Sequence, residues 1–181
     1  MKITDILAIL DSHTPADAEE AHHLARTHEF VAQHPQFYAA DYPPGHVTAS
    51  AWILSPAHDR VLLTHHRKLD RWFQLGGHLE GDASLLAGAL REGTEESGLT
   101  LTPAWNAELF DVDVHLIPDK GAQAAHFHYD VRFAFIADPR QPLIISPESR
   151  DLRWVALDQV VHLSTEASLR RMIEKTRQKS T

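Results

Sequence analysis

The sequence predicts an α/β fold: a mixed β-sheet with helices packed on its faces, preceded by an N-terminal helical extension over residues 1–45. Three observations predict it. The hydrophobic period is helical up to Pro35 and becomes that of strands from His46 onward. The later segments then run strands, helix, strands, helix, an order that suits a sheet covered by helices. Finally, 181 residues with 43% hydrophobic and 23% charged side chains suffice for a sizeable core and are unlike a disordered chain.

In the extension, Ile3, Ile6, Leu7 and Leu10 recur at helical spacing. A second helix follows, with Thr14 as its N-cap and Pro15 at the first helical position. Asp17, Glu19 and Glu20 suit its positive end. Pro35 stops it, and DYPPG at 41–45 is the joint to the domain at 46–181. Strands are expected at 46–54, 60–66 and 72–79, separated by turn residues. A helix at 84–97 follows, stopped by Gly98, with Leu86, Ala89, Leu90 and Gly93 as its buried stripe. Segments 107–117 and 125–137 read as an antiparallel hairpin joined by 118–124. Residues 150–157 add a strand, and 165–178 an amphipathic helix that turns Leu169, Met172 and Ile173 inward.

The formal net charge of −8 argues against a nucleic-acid scaffold as partner, because binding a polyanion relies on a basic surface. A small phosphorylated substrate stays open, since a metal ion can supply local positive charge. Without cysteine there is no disulfide, thiolate zinc site or thiol nucleophile, and the expected compartment is the cytoplasm. No apolar run approaches the roughly 20 residues that span a bilayer, so no membrane association is expected. Asp5 and Asp11 interrupt the opening apolar positions, against a signal peptide.

The stretch GGHLEGDASLLAGALREGTEESGL (76–99) places Glu92, Glu95 and Glu96 on one helix, within roughly 100° of one another. Like charges that close repel, and the C-terminal end of a helix disfavours negative charge. A solvated face accounts for many such glutamates, but not for acids beside the buried stripe at this end. Clustered carboxylates suit Mg²⁺ or Mn²⁺, which keep water and phosphate oxygens as further ligands. Arg91 can hold a neighbouring carboxylate, and Gly76 and Gly77 let backbone approach a ligand closely.

Gly77, Arg91, Glu92, Glu95, Glu96, Gly98 and Leu99 fall at the spacing of the Nudix box, and residues 46–165 resemble the Nudix hydrolase family. The resemblance implies an α/β/α sandwich and a metal-dependent pyrophosphohydrolase acting on a nucleoside diphosphate linked to another group. Within that class the extended polar face of the later strands, as hydroxyl-binding surface, favours a nucleotide sugar or ADP-ribose type substrate over a nucleoside triphosphate. The resemblance further implies that Glu92, Glu95 and Glu96 hold Mg²⁺ or Mn²⁺, with Glu148 of the SPESRD loop a candidate contributor, and that a carboxylate assists the attacking water. There are three departures. Ala83 stands where the box has its first glutamate, which normally supports the loop and the box arginine; Asp82 next door is the candidate substitute. Gly93 replaces an apolar residue at a cost of about 1 kcal/mol in helix propensity. Leu75 stands where proline is usual.

In HFHYDVRF, strand alternation sends Phe127, Tyr129, Val131 and Phe133 one way and His126, His128, Asp130 and Arg132 the other. Asp111, Asp113 and His115 share one face of the partner strand. This polar surface is either solvent-facing or the floor of a pocket. A looser resemblance to the isopentenyl diphosphate isomerases implies a second metal site of His46, His78, His128 and Asp130. Isomerase activity itself is not expected, because its cysteine would sit at Gly77. Gly76, Gly77, Arg67, Lys68, His126 and Arg132 are the candidate substrate contacts, and Trp72 is either a base-stacking or a structural residue. The rival function is a Nudix-fold sensor that binds a nucleotide without cleaving it. Residues 1–45 are expected to act as a helical cap or a homodimer contact.

Overall fold

The structure, a computed structural model, describes residues 1–119 and 124–180. The joint between the two hairpin strands lies partly outside them. Among the described residues four α-helices and eight strands follow in order: α1 (Ile3–Ser12), α2 (Ala18–Gln33), β1 (Gly45–Leu54), β2 (Arg60–His66), β3 (Arg71–Phe73), β4 (Leu75–His78), α3 (Leu85–Ser97), β5 (Thr102–Pro103), β6 (Leu109–Ile117), β7 (His126–Ile136), β8 (Ser149–Ala156) and α4 (Ala167–Lys179). No described helix is long and apolar enough to cross a membrane.

The sheet is mixed and built around β1, all ten residues of which are buried. It runs parallel to β7 from Gly45↔Phe127 to Leu54↔Ile136. Its other edge is shared: β4 pairs antiparallel with Thr48–Ala51, and β2 joins at Leu54. β2 carries β3 and β8, and β7 carries β5 and the antiparallel β6 of the expected hairpin. A strand buried on both faces needs small or apolar residues on both, which GHVTASAWIL supplies.

Val47, Ala49, Ala51 and Ile53 face a core that includes Ile6, Leu10, Phe30, Val31, Leu85 and Ala89, so α1, α2 and α3 cover one side. Trp52 and Leu54 face the other way, onto Leu169, Met172 and Ile173 of α4, and Trp52 Nε1 donates to Thr176 Oγ1 at 2.9 Å. The α/β/α sandwich implied by the sequence is the observed architecture. The helices of 1–45 share this core with the strands, and Phe30 stacks on Tyr129 at 4.0 Å between ring centroids.

Two helix details differ from expectation. Asp17, not Thr14, caps α2, accepting from the Glu20 N–H at 2.7 Å. Residues 13–16 instead wrap the Glu20 carboxylate: His13 Nε2 lies 2.8 Å from it and the Ala16 N–H donates at 2.6 Å. A chain bent around an acid cannot also start a helix. In α3 the buried stripe is Leu85, Gly88, Ala89, Gly93 and Glu96, while Leu86 and Leu90 are half-buried at the margin. The reason is glycine. A Cβ on Gly93 would stand 2.8 Å from both Ala51 Cβ and Leu101 Cδ1, so the helix settles closer to β1 than a larger residue permits.

A buried ion network ties the layers together. Asp111 on β6 accepts from Arg171 (2.7 and 3.0 Å), Lys175 (3.1 Å) and Arg132 (3.2 Å), and Lys175 also bonds Glu20 of α2. Burial alone would raise the Glu20 pKa, but hydrogen bonds from His13, Ala16 and Lys175, with the Lys175 charge, bring it down to about 2.

Two outcomes are expected. Gly93→Leu lowers stability by about 1–3 kcal/mol through overpacking, read as a lower urea midpoint at constant m; an unchanged midpoint would mean that this glycine does not set the helix–sheet distance. The folded-state pKa of Glu20 lies below its ordinary 4.5, so its contribution is complete above pH 4.5 and is lost as pH falls toward 2. Glu20→Gln therefore costs about 3 kcal/mol at pH 7 and flattens the acid limb of a stability–pH curve. A limb of unchanged steepness in the variant would count against this carboxylate as its source.

Candidate active site

The box glutamates lie against the backbone of β4. The Gly76 N–H donates to Glu96 Oε2 at 3.1 Å. A Cβ on Gly77 would come within 2.7 Å of Glu92 Oε1, and one on Gly76, at φ +156°, within 2.3 Å of Ser50 Oγ. The glycine pair is thus the seat on which two carboxylates of α3 rest. Ser84 caps the helix, accepting from the Ala87 N–H at 3.1 Å, and Gly98 ends it in the left-handed region.

Arg91 organises the acids. Its Nη1 donates to Glu92 at 3.0 Å and to the exposed Glu95 at 3.1 Å, and its Nη2 to the His78 carbonyl at 2.8 Å. Its Nε and Nη2 grip Asp82 in a bidentate pair at 3.1 and 3.0 Å. Asp82 also accepts from the Glu80 N–H at 3.0 Å, which closes the loop before α3. Asp82 therefore supports both arginine and loop from the position before Ala83.

Burial, then the nearby Glu92, Glu148 and Glu95 charges, push the Glu96 carboxyl up to about 7, even though the Gly76 N–H works the other way. Burial raises Glu92 as well. Acids so crowded, with one arginine among them, fit a divalent cation held by oxygen ligands. Glu148 is exposed on the loop before β8, within electrostatic reach of both Glu96 and His78.

The substrate contacts expected from sequence divide. Gly76 and Gly77 line the glutamates as described. Lys68 is exposed, and its charge adds to burial in lowering the His78 pKa. Arg67 does something else. Its N–H donates to the Glu148 carbonyl at 2.8 Å, and its guanidinium to the carbonyls of Pro147 and Ser149 at 2.9 and 2.8 Å. It clamps the Glu148 loop. Arg132 is also misplaced by the sequence reading: it is 2% exposed, enclosed by Asp111, Asp113 and Asp130, and its charge is already matched. Trp72 has His65 stacked at 5.0 Å and the Arg153 guanidinium 5.0 Å from its centroid, so it is a packed residue.

The polar strand face is buried and not a solvent surface. The β1–β7 register sets His46 beside His128, Thr48 beside Asp130 and Ser50 beside Arg132, and β4 sets His78 beside Thr48. His46, His78 and His128 present ring nitrogens within 4.8 Å of one another. Asp130 does not join them: Thr48, Ser50, Gln74 and Arg132 donate to its oxygens at 2.7–3.2 Å. His126 takes its place beside His128, with Nε2 atoms 3.3 Å apart. Burial, followed by the neighbouring rings, lowers His46 to about 4 and His128 to about 2, so these imidazoles are neutral at pH 7. The alternation of HFH was the signal for His126; Gln74 carried none. A cavity of about 750 Å³ between α1, α3 and α4 is lined by neither the box glutamates nor these histidines.

A family model described as NUDIX domain matches residues 44–176. No curated protein matches the chain significantly. Among solved structures, a C. elegans Ap4A hydrolase binary complex superposes with a TM-score of 0.59 at 17% identity, covering 74% of this chain and 96% of that one. The NUDIX domain of Shewanella oneidensis NrtR, complexed with ADP ribose, gives 0.56 at 20% identity, covering 84% and 97%. Both carry the fold alone. A mutator MutT protein from Bacillus halodurans gives 0.51 at 27% identity, covering 71% and 79%. The match runs from the approach to β1 into α4 and contains the whole glutamate seat, and the chain belongs to the Nudix family of hydrolases, which act on phosphoric anhydride bonds.

Proposed function

We propose that the protein is a metal-dependent pyrophosphohydrolase that cleaves the diphosphate linkage of a nucleoside diphosphate-X substrate, a nucleotide sugar or ADP-ribose type before a nucleoside triphosphate. The observation that carries this reading is the seating of Glu92 and Glu96 on Gly77 and Gly76, with Arg91 drawing Glu95 to the same side. Nudix hydrolases generally use divalent metal ions. Glu92, Glu95 and Glu96 would hold Mg²⁺ or Mn²⁺, which supplies positive charge to the diphosphate and acidifies a bound water. Arg91 holds Glu92 and Glu95 in position, and Asp82 holds Arg91. Glu148 extends from the Arg67-clamped loop as a further carboxylate for an ion or a water. Structures of the same fold named for Ap4A hydrolysis and for bound ADP ribose support a nucleotide substrate. The lack of cysteine fits a reducing compartment, the cytoplasm.

Ala83 favours the alternative of a sensor that binds nucleotide without cleaving it. Against it, Asp82 supports Arg91 and every carboxylate of the seat is present, so hydrolysis is the better reading. An isomerase is not proposed, because Gly77 stands where its cysteine would be needed.

A panel of nucleotide sugars, ADP-ribose and nucleoside triphosphates, assayed with Mg²⁺ and with Mn²⁺, tests the function. Glu96→Gln is expected to lower kcat at least a hundredfold, about 2.7 kcal/mol of barrier. Nucleotide binding without turnover anywhere in the panel would establish the sensor instead. Asp82→Ala is expected to lower kcat about tenfold, or about 1.4 kcal/mol, with recovery when Ala83→Glu is added. Unaltered turnover in the single variant would show that Arg91 needs no carboxylate behind it.

A further inference from the structure

We infer that His46, His78, His126 and His128 form a second metal centre, separate from the glutamate seat. It would take a nitrogen-preferring first-row dication such as Zn²⁺, Co²⁺ or Ni²⁺. The inference stands on the strand geometry and does not require the hydrolase reading.

The first argument is unmet hydrogen bonding. His46 is 0% exposed, yet among the described residues neither of its ring nitrogens has a partner, and the buried Nε2 of His78 has none either. Buried polar groups are almost always satisfied, and leaving one unmet is costly. Neutral imidazoles can pair N–H to N, as His126 and His128 are placed to do, but His46 and the Nε2 of His78 reach no such partner among the described residues. A cation among them gives one nitrogen of each ring a partner.

Distances support the same arrangement. Two nitrogens on a tetrahedral ion, each about 2.0–2.1 Å from it, stand about 3.3–3.4 Å apart. His126 Nε2 and His128 Nε2 are 3.3 Å apart. The His46, His78 and His128 nitrogens, within 4.8 Å, need to close by roughly an ångström to share one ion, which small rotations of the rings provide. His126 is also prepared for the role. Its Nδ1 lies 2.9 Å from the Ala124 carbonyl, which can only accept, so a neutral ring carries its lone pair on Nε2. A backbone carbonyl behind a ligating imidazole is the usual outer support of such sites.

The donor set decides the ion. Imidazole nitrogens favour Zn²⁺, Co²⁺ and Ni²⁺, whereas the carboxylates of α3 favour Mg²⁺ or Mn²⁺. His46, His78 and His128 supply three positions of a tetrahedral shell, and His126, which lies against His128 but outside that group, would swing in as the fourth. Such an ion would pin β1, β4 and β7 together beside the Gly76–Gly77 turn, and so stiffen the strand on which Glu92 and Glu96 rest.

The test is a Co²⁺ titration of chelator-stripped, full-length protein in excess Mg²⁺, followed by visible absorption. One equivalent should develop the intense bands of a tetrahedral nitrogen site, and Zn²⁺ should abolish them. Saturating Zn²⁺ at about 100 times its Kd should raise Tm by about 5–10 °C. Both effects should vanish in His78→Ala and His126→Ala, which spare the deeply buried His46, and persist in Glu96→Gln. Folded wild-type protein that develops no bands overturns the centre, as do bands that survive both histidine variants or disappear in Glu96→Gln. Because Co²⁺ binding is read without turnover, loss of the hydrolase reading leaves this result standing, and Mg²⁺-dependent hydrolysis would equally survive the loss of this centre.

Discussion

The parallel ladder between β1 and β7 is the constraint from which the rest of the molecule follows. Ten consecutive pairs, from Gly45↔Phe127 to Leu54↔Ile136, fix which side chains stand next to each other across the middle of the sheet. One face is apolar along its whole length and receives α1, α2 and α3. The other changes character along the strand: His46 with His128, then Thr48 with Asp130, then Ser50 with Arg132, then Trp52 with Ala134 under α4. Because side chains alternate strictly, slipping the register by one residue would send the histidines into the helix-covered core and Val47 and Val131 to the polar face. β4 attaches to the same strand, so the glycine seat inherits its position from this ladder too.

Burying polar side chains requires that each be answered, and three clusters in the molecule are answered differently. In the middle, Arg132, Arg171 and Lys175 stand against Asp111, Asp113, Asp130 and Glu20, so cations and acids nearly balance and every acid has a named donor. Breaking such a network by removing one partner strands a buried charge, which is why it fastens α2 and α4 to β6 so firmly. Beside it, Arg91 faces Asp82, Glu92 and Glu95, with Glu96 and Glu148 close by, an excess of negative charge that would suit a cation. Where β1 begins, both ring nitrogens of His46 and the Nε2 of His78 have no hydrogen-bond partner among the described residues. Charge balance, more than polarity, separates the structural network from these two clusters.

Much of this was legible in the sequence, and the limits have a physical cause. The glutamate helix and its glycine stop are readable because they follow from spacing along one segment, whereas Gly76 and Gly77 suggest only a close approach to a ligand and not that they seat Glu96 and Glu92. The gathering of His46, His78 and His128 was anticipated too. What spacing could not give was the partner across the sheet. Arg132 alternates with His128 in a way that suggests a shared exposed face. Whether that face holds a substrate depends on Asp111 and Asp113, whose pairing passes through a register irregularity between Leu109 and Asp111. Arg67 looked like a phosphate contact because it sits in a basic loop; only the nearness of the Glu148 loop makes it a clamp. Thr14 loses its capping role to Asp17 because Glu20, six residues into the expected helix, is claimed by Lys175 from the opposite end of the chain.

His78 makes the two ends of the cleft one system. Its carbonyl accepts from Arg91, the residue that positions Glu92 and Glu95, while its ring stands among His46 and His128. One backbone unit thus carries a constraint to the carboxylates on one side and to the imidazoles on the other. Gly76 and Gly77 have no side chains with which to fix β4 from above, so the strand relies on its pairing with β1 and on what grips its final residue. Arg91 grips that residue by its carbonyl. Holding the ring as well would leave His78 little freedom to tilt, and the Gly76 N–H would then meet the Glu96 carboxylate at a fixed distance. The departures from the family pattern around this strand, Ala83 and Gly93, fit the same picture. Asp82 restores the grip on Arg91, and the missing Cβ of Gly93 lets α3 sit low enough for its acids to reach a strand that offers only backbone.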